Sequence, residues 1–498
     1  MTTLAFSSLL PPLAILTPLA AAVLLAVFGH RRGLLAPLAL GASGLCFGLM
    51  LILVATVRMG FEPELALMQL APPMRIVLRV DALGALFALT IASLFPLAVA
   101  YALRYLADDD HLKRFLALVL AAQGLMLGVA FAANLITLLA FYELFSLISY
   151  PLIVHDRSPR ALAAGLKYIV YIIVGGVFIL TGIILVYAMA GDVAFLRGGL
   201  LDDSVARVPA LLAWLCLMIG FGVKAALMPL HGWVADAHPA APPPFSALLS
   251  GVMVAAGSFG ILRVLFEIFG VELLGLLGVM PWLGLVAGAS AILAGALAIG
   301  EDEFKRRLAY STISQMAYVA LAIAMLSELA LVGALVHISH HAFIKAGLFF
   351  CAGMILTVTG FKKVSEFDGL ARQMPATAVL LTLLSLAMIG VPPLSGFLSK
   401  WLLGVGLIEA GGLLPLTVLA LGTLLAAAYL WPVIFRIWLP REDLKQADSP
   451  MAGQPTLMLT ALAACALITL VLGLAATLPG LPLELARLAA SALLGPGG

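Results

Sequence analysis

The stretch GFGVKAALMPLHGWVADAHP, residues 220–239, sets one lysine, Lys224, at the end of an apolar run and places Pro229 five residues later. Proline has no N–H to give the carbonyl four residues back, so a helix through this stretch opens at Ala225, one residue past the ammonium group. Working outward, the flanks stay apolar in both directions. The 498 residues are 63% hydrophobic and 10% charged, with a mean hydropathy of +1.16. That composition is far from a soluble domain and predicts an all-α, polytopic membrane protein. Crossing a hydrocarbon core of about 30 Å takes about 20 helical residues, and runs of that length recur about fourteen times.

The expected spans include a fifth at 134–154, a sixth at 161–190, a seventh at 209–230, an eighth at 243–266, a tenth at 308–326, an eleventh at 329–356 and a twelfth at 376–406. The short segment 479–495 is expected to be an interfacial tail, and no cleavable leader is evident. The 27 lysines and arginines fall unequally on alternate loops. One side includes Arg31, Arg160, Lys305, Lys362, Arg441 and Lys445; the poorer side holds Arg58, Arg75, Arg79, Arg197, Arg207, Arg263 and Arg487. The richer side is cytoplasmic by the positive-inside rule, which puts both termini outside the cytoplasm.

Net charge is +2 and no basic run points to nucleic acid. Four dispersed cysteines lack metal or cluster spacing and read as packing residues. No nucleotide motif is present, so no cofactor and no catalytic centre are expected on this chain.

Ionisable groups inside spans cost about 2.5–3.5 kcal/mol each on insertion and usually mark a wet or paired interior. Here they are Glu143, Lys224, Lys345, Lys400 and Lys167, with His337, His340 and His341 beside Lys345. His337, His341 and Lys345 are four residues apart and share a helix face. Ser311, Ser314, Gln315 and Tyr318 make a polar stripe on the tenth span. Pro392 and Pro393 release the carbonyls of Met388 and Ile389 ahead of Lys400, as Pro229 does that of Ala225 near Lys224. Two interrupted spans, each with a lysine, predict an internal repeat with a path at each break. Lysine and imidazole repel metal cations and carry protons, so protons are the expected cargo and the histidines are not read as a metal site. The plainer readings are a snorkelling Lys167, a Lys345 held by a backbone carbonyl, and packing ion pairs at Glu143, Lys224 and Lys400.

FGVKAALMPLHGWVADAHPAAPPPFSALLSGVMV, EFKRRLAYSTISQMAY, HISHHAFIKAGLFF and GVPPLSGFLSKW occur in that order. From about residue 80 to 438 the chain resembles the antiporter-like subunits shared by respiratory complex I, membrane-bound hydrogenases and Mrp-type cation/proton antiporters. With lysine at 400, it is most similar to the D-type subunits of Mrp antiporters or the N-type subunits of complex I. The resemblance implies fourteen helices, broken seventh and twelfth, with helices 1–3 in residues 1–108, inverted five-helix repeats at 109–268 and 269–440, and helix 14 with a tail at 441–498. It implies a Glu143–Lys224 pair, a central His341–Lys345 region and an exit at Lys400. It further implies a proton-translocating subunit, partnered by other membrane subunits in a bacterial inner membrane, moving protons against sodium or under redox drive. One departure is SGVMVA, where many members read SGVMVK: Ala255 stands in place of a relaying lysine. Either His337, His340 and water bridge that gap or the relay is broken. The alternatives are a non-conducting scaffold and a subunit of an energy-coupled inorganic-carbon or solute uptake complex.

Overall fold

The computed structural model describes residues 2–29, 32–71, 74–439 and 453–495. Arg31, Arg441 and Lys445 of the charge comparison lie outside them. The chain opens with α1 (Thr2–Phe28) and α2 (Arg32–Arg58), passes through a hairpin of β1 (Glu64–Ala71) and β2 (Met74–Arg79), and continues as α3 (Ala82–Tyr105), α4 (Leu112–Ala130), α5 (Leu135–Ile153) and α6 (Pro159–Ala190). Sequence marks the starts. Asp81, Asn134 and Ser158 each turn a side-chain oxygen onto a free N–H of the first turn of α3, α5 and α6, and Pro159 occupies the first position of α6, where no N–H is needed.

The seventh span is interrupted as expected: α7 (Arg207–Lys224) stops at the lysine, and a short α8 (Val234–Ala240) follows after nine residues of turn. Next comes a continuous run from Pro243 to Leu277, made of α9 (Pro243–Leu248), α10 (Ala255–Arg263) and α11 (Gly270–Leu277) joined by π-helical turns at Leu249–Met253 and Val264–Phe269. Its apolar window is 100% buried, against 39% for α6, so this run is the inner wall of the molecule and α6 faces outward. It continues past the expected end at 266. Arg263 is therefore no loop residue but a buried one, and leaves the charge comparison. Its guanidinium is accommodated because Asp81 and Glu267 flank it at 2.5 and 2.8 Å.

The second half comprises α12 (Met280–Gly300), α13 (Phe304–Ile323), α14 (Glu328–Thr359), a one-turn α15 (Leu370–Gln373), α16 (Pro375–Ile389), α17 (Ser395–Glu409) and α18 (Leu413–Trp438). The twelfth span is thus two 15-residue helices either side of the double proline. Then follow α19 (Thr456–Leu474) and α20 (Pro482–Leu494). Among the described residues twelve helices are long and apolar enough to cross a membrane. The polar α13 and the divided α16–α17 fill the other two places in the expected fourteen. The protein is a polytopic all-α membrane protein with one added hairpin.

Two features escaped the sequence reading. The hairpin pairs Glu64 with Arg79 and Ala71 with Met74; its strands are short beside much stronger helical signals. The tail is a docked amphipathic helix: Leu485, Ala486, Ala489 and Leu493 of α20 are buried, and Glu484 pairs with Arg58 at 3.0 Å.

Candidate functional site

Lys224 is the last residue of α7 and is fully buried. The chain then turns sharply, with Ala226 in the left-handed region at φ 59°, a costly conformation for a residue with a Cβ. The indole of Trp233 donates to the carbonyl of Val223 at 2.8 Å, so the opened end of α7 is capped without the lysine. The ammonium is left to donate to Ser146 Oγ (3.1 Å, from α5) and Tyr168 Oη (2.9 Å, from α6), over the face of Phe145 at 4.3 Å.

Glu143 sits one turn before Ser146 but makes no direct ion pair with Lys224. Its Oε1 is buried without a protein partner, against Gly176 of α6, where an added Cβ would lie 2.6 Å from it. Lys167 reaches the flank of the molecule, where its Nζ pairs with Asp236 Oδ2 at 2.7 Å and both side chains are about two-fifths exposed.

In the second half Lys345 is fully buried and donates to the carbonyl of Leu308 (3.0 Å) and to Ser311 Oγ (2.6 Å), which in turn bonds Tyr429 Oη at 2.8 Å. The backbone-carbonyl partner is on α13, away from any break. One turn back, both ring nitrogens of His341 lack a protein partner, as do both ends of the Gln315 amide and the Tyr318 hydroxyl. The His337 and His341 rings are 6.1 Å apart, Tyr318 is 6.3 Å from His337, and Lys400 Nζ is 5.9 Å from the Tyr318 ring. His337 Nδ1 meets Ser399 Oγ at 3.0 Å and His340 Nδ1 meets the Ser395 carbonyl at 2.7 Å, so both imidazoles bond to α17.

Lys400 donates to the carbonyls of Met388 and Ile389, each at 2.9 Å. These are the two carbonyls that Pro392 and Pro393 leave without an N–H. Gly390 makes this closure feasible: it lies at φ 100°, and an added Cβ would come within 3.0 Å of Lys400 Cδ.

Lys345, Lys400, the three histidines and the stripe of α13 thus form a buried polar cluster in the second half, and Lys224 with Ser146 and Tyr168 a second in the first half, together termed the seam. Leaving a buried donor or acceptor unmet costs about 1–3 kcal/mol, and internal water is the usual remedy. The unpartnered nitrogens and hydroxyls therefore mark where water belongs, and water between bases carries protons. The sequence reading missed Ser146, Tyr168, Trp233, Ser399 and Tyr429, which have no spacing signal because each meets its partner in the site only through folding. It also passed over His238, although that residue lies in the stretch first quoted.

Residues 132–426 match the family described as NADH:quinone oxidoreductase/Mrp antiporter, transmembrane. NADH-quinone oxidoreductase subunit N of Desulforudis audaxviator is 36% identical over 376 residues, covering 74% of each chain. A chain of the Mrp complex from Dietzia sp. DQ12-45-1b superposes with a TM-score of 0.88 at 24% identity, over 99% of this chain and 98% of that one. A chain of respiratory complex I from Thermus thermophilus gives 0.84 at 25%, over 97% and 99%.

Proposed function

This chain belongs to the NADH:quinone oxidoreductase/Mrp antiporter membrane family, an antiporter-like subunit of a multi-subunit membrane complex, and from that premise we propose that its buried seam conducts protons. The observation that carries the reading is the row of buried bases, Lys224, His341, Lys345, His337, His340 and Lys400, whose nitrogens end on hydroxyls, on carbonyls or on no protein group. A structural ion-pair network would match each charge with its opposite. Among the described residues no carboxylate pairs with Lys224, and Glu143 stands apart.

In this reading Glu143 and Lys224 form the charged couple of the first half, residues 109–268, which with its inverted counterpart 269–440 makes up the transport body. Residues 1–108 and 441–498 flank that body. Lys167, with Asp236, stands at the lateral end of the first half, and Lys400 at the far end of the second. The setting is a bacterial inner membrane, with protons exchanged for a cation or driven by a redox partner.

Proton flux into inverted vesicles carrying the whole complex tests it: Lys224→Ala and Glu143→Gln complexes that still assemble lose most of their flux. Full flux in both sinks the reading. Ala255 favours one rival, a scaffold that conducts nothing, under which Lys400→Ala leaves the activity of the complex untouched.

A further inference from the structure

Ala255 is fully buried and bears no base, so nothing at that position joins the two halves. His337 and His340 bond to α17. A different imidazole lies at the junction. His238, in α8, is fully buried, neither of its ring nitrogens has a protein partner, and it stacks on Phe349 of α14 at 5.0 Å. Its place is fixed by its backbone, whose carbonyl accepts from Ser246 Oγ at 2.9 Å. Phe349 lies one turn along α14 from Lys345 and two turns from His341, so His238 packs on the helix that carries both.

Beside the residues that follow His238 a cavity of about 210 Å³ opens on the Lys/Arg-rich side of the molecule. Its walls carry Asp109, His155, Asp156, Arg160 and Glu303, and its floor is Pro239–Pro243, the residues that directly follow His238. Ala352, one turn along α14 from Phe349, lines the same cavity. Lys305 reaches across the floor to the carbonyls of Pro239 (3.3 Å) and Ala241. His238, with both ring nitrogens without a protein partner, thus stands in sequence next to the floor of a titratable vestibule and in space against the helix that carries the central bases.

We propose that His238 is a further proton carrier, the step that joins this vestibule to His341 and Lys345 where position 255 offers no base, an inference that rests on the proton-path reading above. A neutral imidazole has one protonated and one bare nitrogen. It accepts a proton from vestibule water on the bare one, becomes neutral again by releasing the other proton toward His341, and regains its starting tautomer by turning over. This route supplies the second half in a chain that lacks the lysine at 255.

The test uses inverted vesicles containing the assembled complex, whose Lys/Arg-rich face is outward. His238→Gln is expected to lower proton flux at least tenfold with assembly intact. Independently, an impermeant, bulky thiol reagent added to the Ala240→Cys complex is expected to lower its flux at least tenfold relative to the same vesicles before labelling, with the unmutated chain as control. Full flux in assembled His238→Gln overturns the role of His238. Full flux after labelling of Ala240→Cys overturns the vestibule as its source, and this arm decides the matter if His238→Gln does not assemble. Should Lys224→Ala retain full flux as well, the proton path itself is wrong.

Discussion

Lys224→Met separates a lysine kept for conduction from one kept for packing. In the folded protein the ammonium gains hydrogen bonds to Ser146 and Tyr168 and lies over Phe145. Hydrogen bonds to a charged group contribute about 1.5–3 kcal/mol each, and a desolvated cation–π contact contributes about 2 kcal/mol. Against this stands the cost of burying an ammonium, several kcal/mol. The terms nearly cancel, so an apolar side chain of similar shape should change stability by no more than about 2 kcal/mol. Tyr168 keeps a partner, because its hydroxyl also donates to the Ser146 carbonyl at 2.9 Å. Flux is another matter. If the proton loses a host better by about 3 kcal/mol than the hydroxyls left behind, the barrier rises by that amount and flux falls about 100-fold. Thermal unfolding of the purified complex and dye-monitored proton flux in vesicles read the two quantities separately. A Lys224→Met complex that unfolds far earlier, or conducts fully, would refute the reasoning.

Other perturbations probe different parts of the fold. Arg263→Met leaves Asp81 and Glu267 buried with only Arg79, 3.7 Å from Glu267, to offset them; a loss of about 3–5 kcal/mol is expected, read as lower thermal stability and yield of the complex. Gly390→Ala places a Cβ in a left-handed conformation against Lys400, costing about 1–2 kcal/mol of backbone strain and displacing the ammonium from its carbonyls; unfolding temperature and flux should fall together. His155, in the loop after α5, is held below the ordinary imidazole range by burial and next by Arg114, against the pull of Asp109. Its unfolded form therefore binds protons more readily, so stability is whole above about pH 6.5 and declines as pH falls toward the folded value. His155→Gln should flatten the acid limb of a thermal-stability profile, and an unchanged limb counts against this account.

Most of the membrane fold was legible because its signals are local. Apolar runs give the spans, and a proline placed after Lys224 or before Lys400 gives the breaks. What could not be read is what depends on distant partners. Arg263 looked like a loop charge because its neutralising Asp81 lies 182 residues earlier in the chain. The hairpin was hidden because strands of six to eight residues carry little weight beside helices three times as long. At the candidate site the bases were identifiable by their rarity in apolar sequence. Their hydroxyl partners were not, since Ser146 and Tyr168 are unremarkable residues on other helices.

In the proposed proton path those partners set a direction. Lys224 rests on two hydroxyls, Lys345 on one hydroxyl and one carbonyl, and Lys400 on two carbonyls. A hydroxyl both donates and accepts, so it passes a proton onward, whereas a carbonyl only accepts. A proton on Lys224 therefore has two relays within hydrogen-bond reach, and one on Lys345 has a single relay, through Ser311 to Tyr429. One on Lys400 has none among its bonded partners and waits until the ammonium leaves Met388 and Ile389. In the proposed path Lys400 would then be the holding point of the seam. Release there requires motion of α17 or of the lysine itself, and not merely a rearrangement of protons.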